Sequence, residues 1–320
     1  MRLSVLFLLV SLSVSGQRSL FDALSANGDT PLVLLETDWD KMLQARTDKV
    51  YQEVTLTVNG HRFPGRVRTR GHARLRTCLF PSLRVKLNKK VLAAAGYSSL
   101  NDLKFGLQCN ASKRGLGYLQ RERLLYDLYA MVSPYHLRTL SVRVVIEKGD
   151  TLAGFLIESE EQLAARYDAT DYRSEHVSTR GLDRMTYARL CLFNYLILNT
   201  DWNIYNLHNV ACLRSNADSR LFPLPYDFDH SGLVDTHYAV PREDLGMTSV
   251  YEPRFLGRHL TEDEMSTAAR SFLEKADELH QRILEDPDLD RVHRRQMIAR
   301  LTAFMDEISD PDRLARLVAD

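Results

Sequence analysis

Two polar segments in the second half of the chain carry the side chains best suited to phosphate chemistry. The first, N-T-D-W-N-I-Y-N at residues 199–206, directly follows a long apolar stretch. The second is P-Y-D-F-D-H-S-G at residues 225–232. Polar side chains next to apolar elements are costly to bury unless they are bonded or used. We therefore interpret these two segments as a candidate active site.

The residue types in these segments match the needs of phosphoryl transfer. The D-x-x-x-x-N spacing of Asp201 and Asn206 lets a carboxylate orient a substrate hydroxyl while an amide oxygen reaches a metal ion. Asp227 and Asp229 offer carboxylates, which suit a hard cation such as Mg²⁺. Either motif alone is unspecific, since a D-x-D pair is more often a turn or a cap. Their order, with a loop after a buried helix and an aspartate after a hairpin, follows the kinase plan.

The elements that must position these residues divide the chain into two parts. Alternation of apolar and polar residues predicts strands at residues 54–58, 63–69, 83–87, 103–107, 141–147 and 152–158. Turns are predicted at Asn59-Gly60 and at residues 148–150. Helical spacing predicts an amphipathic helix of some 14 residues around residues 119–129, a buried helix at 185–198 and charged helices after residue 262. Residues 207–213 and 221–224 are predicted to form the hairpin before Asp227.

Charge is balanced over the chain but not along it. The 42 basic and 42 acidic side chains cancel, so there is no general attraction to nucleic acid or to anionic lipid. Residues 61–90 nevertheless hold ten lysines and arginines and no acid. This stretch is either a surface that meets anions or a set of cations that pair with acids from elsewhere in the fold.

The start of the chain and its cysteines predict export. Arg2, the apolar run at residues 3–14 and the small residues before Gln17 are typical of a signal peptide spanning residues 1–16. No later stretch is apolar enough to insert stably in a membrane. In an oxidising compartment the four cysteines would form disulfides, and we prefer the pairs Cys78–Cys109 and Cys191–Cys212. Cys191 is alternatively a free, buried thiol.

The two polar segments also resemble a known family. N-T-D-W-N-I-Y-N-L-H-N at 199–209 and L-P-Y-D-F-D-H-S-G at 224–232 are similar to the paired active-site segments of the spore-coat CotH-type atypical protein kinases. Residues 154–158 resemble that family's G-x-Y-x-L-x-E strand, and Arg70-Gly71 resembles part of its R-G-N-S segment. The chain further resembles a branch of secreted bacterial proteins with an R-x-R-G…C…P-x-L…L-K…C pattern. The likeness covers residues 50–240.

The resemblance implies a fold and a catalytic centre. The fold would be α+β and protein-kinase-like, with a β-rich N-terminal lobe at 17–160 and a mainly helical C-terminal lobe at 161–320. Asp201 would be the catalytic acid that orients the acceptor hydroxyl. Asn206 and Asp227 would bind the metal ion, with Asp229 beside them.

The resemblance implies a nucleotide site as well. Lys104 would lie on a strand and form an ion pair with Glu122 on the following helix, fixing the phosphates of ATP. Lys86, on the preceding strand, is the alternative lysine, and Arg70 would contact the nucleotide. The expected cofactors are ATP and Mg²⁺ or Mn²⁺.

The implied activity is transfer of phosphate from ATP, outside the cytoplasm, to an acceptor that the sequence leaves open as a protein, a glycan or a small molecule. One alternative is a catalytically inactive, pseudokinase-like binding module of the cell envelope. Another is a metal-dependent hydrolase of phosphoesters or glycans that uses Asp201, Asp227 and Asp229 as its carboxylates. The sequence also leaves the oligomeric state open.

Overall fold

The structure, a computed structural model, describes residues 17–146 and 149–319. The predicted signal peptide lies outside the described residues. So do Glu147 and Lys148, which belong to the predicted strand and turn around residue 148.

The first half of the chain forms a closed seven-stranded barrel with the strand order β1-β2-β3-β4-β5-β7-β6. Its strands are β1 (Leu32–Glu36), β2 (Gln52–Val58), β3 (His61–Arg70), β4 (Ser82–Leu87), β5 (Asp102–Leu107), β6 (Thr139–Ile146) and β7 (Thr151–Ile157). Neighbours pair antiparallel except β1 and β6, whose parallel pairing closes the barrel. The six predicted strands are therefore confirmed over the described residues. The β1 strand and the closure were not predicted.

Helices connect several of the barrel strands and make up most of the second half of the chain. Those within the first half are α1 (Leu20–Ser25), α2 (Trp39–Gln44), α3 (Ala73–Thr77), α4 (Lys89–Ala94) and α5 (Lys113–Val132). The later ones are α6 (Glu160–Arg166), α7 (Arg184–Leu196), α8 (Glu262–Leu273), α9 (Ala276–Leu284), α10 (Arg291–Ile308) and α11 (Pro311–Ala319). A small sheet of order β10-β9-β8 completes the fold, with strands β8 (Ala169–Asp171), β9 (Val210–Ser215) and β10 (Leu221–Pro225). The fold is thus a mixed α+β arrangement, as predicted.

Buried apolar side chains form two separate cores. One fills the barrel and includes Val67, Val85 and Phe105. The other joins α5 to α7 and the C-terminal helices. Helix α5 is 20 residues long, more than predicted, and its buried face packs in this second core. Because α5 also contacts β6 and β7, it connects the barrel to the helical half.

Three adjacent strands give the barrel a basic outer face. Along β3, Val67 points into the barrel core, so the alternation of a strand places Arg66, Arg68 and Arg70 outside. By the same alternation the outward residues of β4 and β5 include Arg84, Lys86 and Lys104. We call these six residues the basic face.

The charges of the cationic stretch are only partly paired. Arg84 donates from Nε to Asp102 Oδ2 at 2.9 Å, and Arg62 pairs with Glu36 at 2.9 Å. Arg66 and Arg68 both lie over the ring of Tyr51. Arg70 and Lys86 make no side-chain hydrogen bond or ion pair with any residue in the described ranges. Some cations of this stretch therefore pair with acids from elsewhere in the fold, and others stay unpaired in the described part of the chain, on a surface that is free to meet anions.

One of the two predicted disulfides is present. Cys78 and Cys109 are bonded, which fastens the end of α3 to the segment after β5. The prediction of a Cys191–Cys212 bond is wrong, because both are free, buried thiols. Cys191 lies on α7 and Cys212 on β9, and closeness in sequence did not bring their sulfurs together. Burial raises the pKa of both thiols, that of Cys212 to about 12, so they stay protonated.

Replacing Cys78 and Cys109 with serine is expected to lower the free energy of unfolding by about 3 to 4 kcal/mol, the chain-entropy value for a loop of this length. The separation of the two cysteines is 31 residues. Urea denaturation of the oxidised protein and the double variant measures the difference. A Cys191→Ser variant is the control for reducing agents. It keeps the Cys78–Cys109 disulfide, so dithiothreitol should lower its stability as much as it lowers that of the wild type. Equal stability with and without the bond would contradict the expectation.

Of the helices in the described part of the chain, none combines the length and apolar character needed to cross a bilayer.

Candidate functional site

The Asp201 loop begins where α7 ends. The last buried residues of α7 lead into Leu198, which adopts a left-handed backbone conformation with φ of 58° and turns the chain. Asn199 is buried and donates to Asn194 Oδ1 at 2.8 Å, and its own Oδ1 accepts from the backbone N–H of Asp201 at 3.0 Å. The end of the buried helix therefore fixes the position of Asp201.

The Asp201 carboxylate is held by two side chains that follow it. His208 Nε2 lies 3.1 Å from Oδ1, and Asn209 Nδ2 donates to Oδ2 at 3.0 Å and to the backbone oxygen at 2.7 Å. Burial by itself raises the pKa of Asp201, but the His208 hydrogen bond and nearby positive charges, including His230, bring the pKa below its usual value. The bond to Asp201 raises the pKa of His208. Asp201 is accordingly an ionised, oriented acceptor.

Two asparagines compete for the role that the spacing gave to Asn206. Asn206 is exposed, and its Oδ1 accepts from the backbone N–H of His208 at 3.1 Å. Asn209 is buried beside Asp201, directly before β9. Its backbone oxygen accepts from the N–H of Tyr226 at 3.1 Å, which ties this loop to the second polar segment. The D-x-x-x-x-N spacing did not single out Asn209. The feature of the sequence that could have identified Asn209 is its position directly before a strand.

Asp227 presents an unengaged carboxylate. Its backbone N–H donates to Tyr126 Oη of α5 at 2.9 Å, and its φ of 63° lies in the left-handed region, which glycine, asparagine and aspartate adopt most readily. Within the described residues the carboxylate makes no hydrogen bond and no ion pair. Such a free carboxylate fits a cation ligand.

Asp229 differs from its neighbour. It is buried and accepts from Tyr238 Oη at 2.9 Å. Burial and then the negative charge of Asp227 raise the pKa of Asp229 to about 6. In the described part of the chain no three histidine, cysteine, aspartate or glutamate side chains are grouped as a metal site, so Asp201, Asp227 and Asp229 are not one carboxylate cluster.

The prediction of an ion pair between Lys104 and Glu122 is wrong, because each side chain pairs with another residue. Glu122 pairs instead with Arg74 of α3, Nη1 to Oε2 at 3.3 Å, with both side chains buried. Arg74 also donates to the backbone oxygen of Leu107, while its buried Nε has no acceptor. In the sequence Arg74 stands out only as one of the ten basic residues of the cationic stretch. The Cys78 disulfide at the end of α3 holds this helix beside β5 and α5.

Lys104 has a different partner, Glu160 at the start of α6. Burial lowers the pKa of Lys104, and Glu160 opposes that shift. Burial would raise the pKa of Glu160, but the Lys104 ammonium group lowers it to about 2. Arg70 acts electrostatically on both Lys104 and Glu122, so the three lie in one region. Lys86 faces Asp102 in the β4–β5 register.

The structure thus brings Asp227, Asp229, Glu122 and Arg74 into mutual electrostatic reach, with Arg70 and Lys104 alongside. The Asp201 loop joins them through Asn209 and Tyr226.

The chain is similar to solved structures in its fold. No protein-family model matches the chain, and no curated protein matches it. Among solved structures, the chain is similar to the proinflammatory kinase CtkA of Helicobacter pylori. The two share 8% sequence identity with a TM-score of 0.42, and the match covers 84% of this chain and 92% of that one.

Proposed function

We propose that the protein is a CotH-like atypical kinase that transfers phosphate from ATP, with Mg²⁺ or Mn²⁺, to a hydroxyl acceptor. The observation that carries the proposal is the free Asp227 carboxylate, held next to the Asp201 loop and in electrostatic reach of Arg74, with Arg70 and Lys104 on the neighbouring basic face. Phosphoryl transfer requires little more than positioned reactants and neutralised phosphate charge.

The residues divide into three roles. Asp201 accepts the hydrogen bond of the acceptor hydroxyl and orients it. Asp227, with Asn209 or Asn206, would hold the divalent cation, which when bound neutralises phosphate charge. The basic face, at Arg70 and Lys104, would receive the phosphates, and the unpartnered Nε of Arg74 is a further donor on that side.

In this proposal the barrel serves as the N-terminal lobe and the helical half as the C-terminal lobe of a kinase-like pair. The two separate cores support the division. The Cys78–Cys109 disulfide supports export to the periplasm or the medium, since such bonds persist in oxidising compartments.

The test combines nucleotide binding with turnover. ATP with Mg²⁺ or Mn²⁺ should raise the thermal midpoint of the purified protein, by an amount equivalent to about 2.7 kcal/mol at 100 times Kd. Asp201→Asn should keep that shift and lower phosphate transfer about 100-fold or more, the usual contribution of a positioned base. Binding without transfer in the wild type would indicate the pseudokinase-like binding module. Phosphoester hydrolysis without ATP would overturn the proposal in favour of a hydrolase.

The two asparagines can be separated by alanine variants, provided that the unliganded thermal midpoint of each is measured first, because Asn209 has a left-handed backbone with φ of 52° that strains an alanine. Asn209→Ala should weaken metal-dependent ATP binding about tenfold or more, since it removes an oriented amide beside Asp201. Asn206→Ala should change it less than twofold, on the order of 0.4 kcal/mol, because Asn206 is exposed and only caps a turn. Titrating each variant with ATP and Mn²⁺ measures both effects. The reverse ranking would restore Asn206 as the ligand that its spacing predicts.

A further inference from the structure

A large cavity lies against the Asp201 loop, away from the basic face. Its volume is about 1250 Å³, and residues 202–205 of the loop form part of its wall. None of Lys104, Glu122 and Asp227 lines it. Small-molecule sites usually measure about 300 to 1,000 Å³, so this space suits a segment of a polymer better than a metabolite.

The cavity is coupled to Asp201 through the chain itself. Trp202 follows Asp201 directly and lines the cavity. Arg242, another lining residue, donates from Nη1 to the backbone oxygen of Thr200 at 3.0 Å. An occupant of the cavity is therefore next to the residue that would orient the acceptor hydroxyl.

Among the described residues, the ionisable side chains that line the cavity include several bases and no carboxylate. Its lining includes Arg242, Arg254, Arg258, His176 and His259, and the described lining residues include no aspartate or glutamate. Arg242 is offset by Asp244, which lies outside the lining. Arg254 and Arg258 are exposed, and their guanidinium groups make no hydrogen bond or ion pair with a described residue. Two unpaired arginines without a nearby lining acid favour an anionic ligand.

The remaining wall favours a peptide over a glycan. Leu256, Leu260 and Ile204 provide aliphatic surface that would receive an apolar side chain. Trp202 is buried, with 5% of its surface exposed, and its indole N–H has no acceptor. A glycan has no aliphatic side chain to place against Leu256, Leu260 and Ile204, so this wall favours a peptide.

We propose that this cavity, the acceptor groove, binds an acidic peptide segment whose serine, threonine or tyrosine hydroxyl reaches Asp201. The acceptor role rests on the proposed kinase function. In the transfer step the hydroxyl oxygen bonds to the γ-phosphorus of ATP, and the bond from that phosphorus to the β,γ-bridging oxygen breaks. ADP leaves, and the hydroxyl proton passes to the Asp201 carboxylate.

The test measures peptide binding without nucleotide. The probe is a short fluorescein-labelled peptide in which glutamates flank one leucine and one serine, and its counterpart has glutamine at every glutamate. Fluorescence anisotropy should give a Kd for the acidic peptide at least tenfold lower, which is about 1.4 kcal/mol. Arg254→Glu with Arg258→Glu should weaken binding at least tenfold. Arg291→Glu with Arg295→Glu, the same charge change at exposed positions of α10, should leave the Kd within twofold.

Each outcome decides the proposal. Equal binding of the two peptides, or no effect of the Arg254 and Arg258 changes, overturns it. Tighter binding of a sulfated oligosaccharide than of the acidic peptide overturns it in favour of a glycan. The groove does not depend on nucleotide, so Asp227→Asn should bind the peptide like the wild type. Peptide binding by a protein that binds no ATP would reject the kinase function and keep the groove, whereas ATP binding without peptide binding would do the opposite.

Discussion

Replacing Asp227 with asparagine is expected to abolish stabilisation by ATP and Mg²⁺ while leaving the unliganded fold intact. The carboxylate makes no hydrogen bond or ion pair within the described residues, so its loss removes no structural contact. The backbone bond from the Asp227 N–H to Tyr126 Oη does not depend on the side chain. Asparagine also tolerates the left-handed backbone at a φ of 63°.

Without ligand, the Asp227→Asn variant should be at least as stable as the wild type. Asp229 is buried, and its pKa is raised to about 6 by burial first and by the charge of Asp227 second. Removing that charge lowers the pKa of Asp229 and relieves repulsion between two neighbouring carboxylates. The thermal midpoint of Asp227→Asn without ligand should therefore equal or exceed that of the wild type at neutral pH.

Thermal denaturation with and without ATP and Mg²⁺ measures both effects. At about 100 times Kd the wild type should gain the equivalent of about 2.7 kcal/mol, and the variant should gain nothing. Asp168→Asn is the matched control, since Asp168 has a left-handed backbone with φ of 46° but lies outside the site. Asp227→Ala adds strain, because a left-handed backbone costs a non-glycine residue about 1 to 2 kcal/mol. A full ATP shift in Asp227→Asn would reject the metal assignment.

Local pattern predicted the strands well because strand burial follows a period of two residues. The alternation of residues 54–58 predicted one apolar and one polar face, and the structure has Val54, Leu56 and Val58 buried in the barrel core with the threonines between them partly exposed. Barrel closure depends on the parallel pairing of β1 with β6, residues about a hundred positions apart in the chain. A local pattern of apolar and polar residues cannot predict a pairing between strands so far apart in the chain.

The partners of charged residues were less predictable, because tertiary packing decides which charges meet. Lys104 and Glu122 lie on adjacent elements, as predicted, yet α3 places Arg74 between β5 and α5, and α6 places Glu160 over Lys104. Sequence distance also failed for Cys191 and Cys212, whereas Cys78 and Cys109 paired as predicted.

Replacing Arg74 with methionine is expected to be among the most destabilising single changes in the protein. Above about pH 8, where Glu122 is ionised, its carboxylate would remain buried without its cation, and breaking a buried ion pair from one side costs about 3 to 5 kcal/mol. The change also removes the hydrogen bond to the backbone oxygen of Leu107. Arg76→Met on the same helix is the control, because Arg76 is exposed and unpaired among the described residues. Adding Glu122→Gln to Arg74→Met should restore part of the loss.

The pH dependence of stability distinguishes this explanation from a simple packing defect. Burial raises the pKa of Glu122 to about 8, against the opposing charge of Arg74. Between the unfolded value of 4.5 and about 8 the folded state holds a proton that the unfolded state releases, so stability should fall as pH rises.

Glu122→Gln should flatten that fall, and Arg74→Met should extend it to higher pH, because the opposing cation is gone. Urea denaturation over a pH series from about 5 to 9, across the raised carboxyl pKa, measures all three slopes. A packing defect would lower every point of the Arg74→Met series equally. A widening gap above about pH 8 would instead locate the cost in the buried carboxylate, because only an ionised Glu122 needs the Arg74 charge.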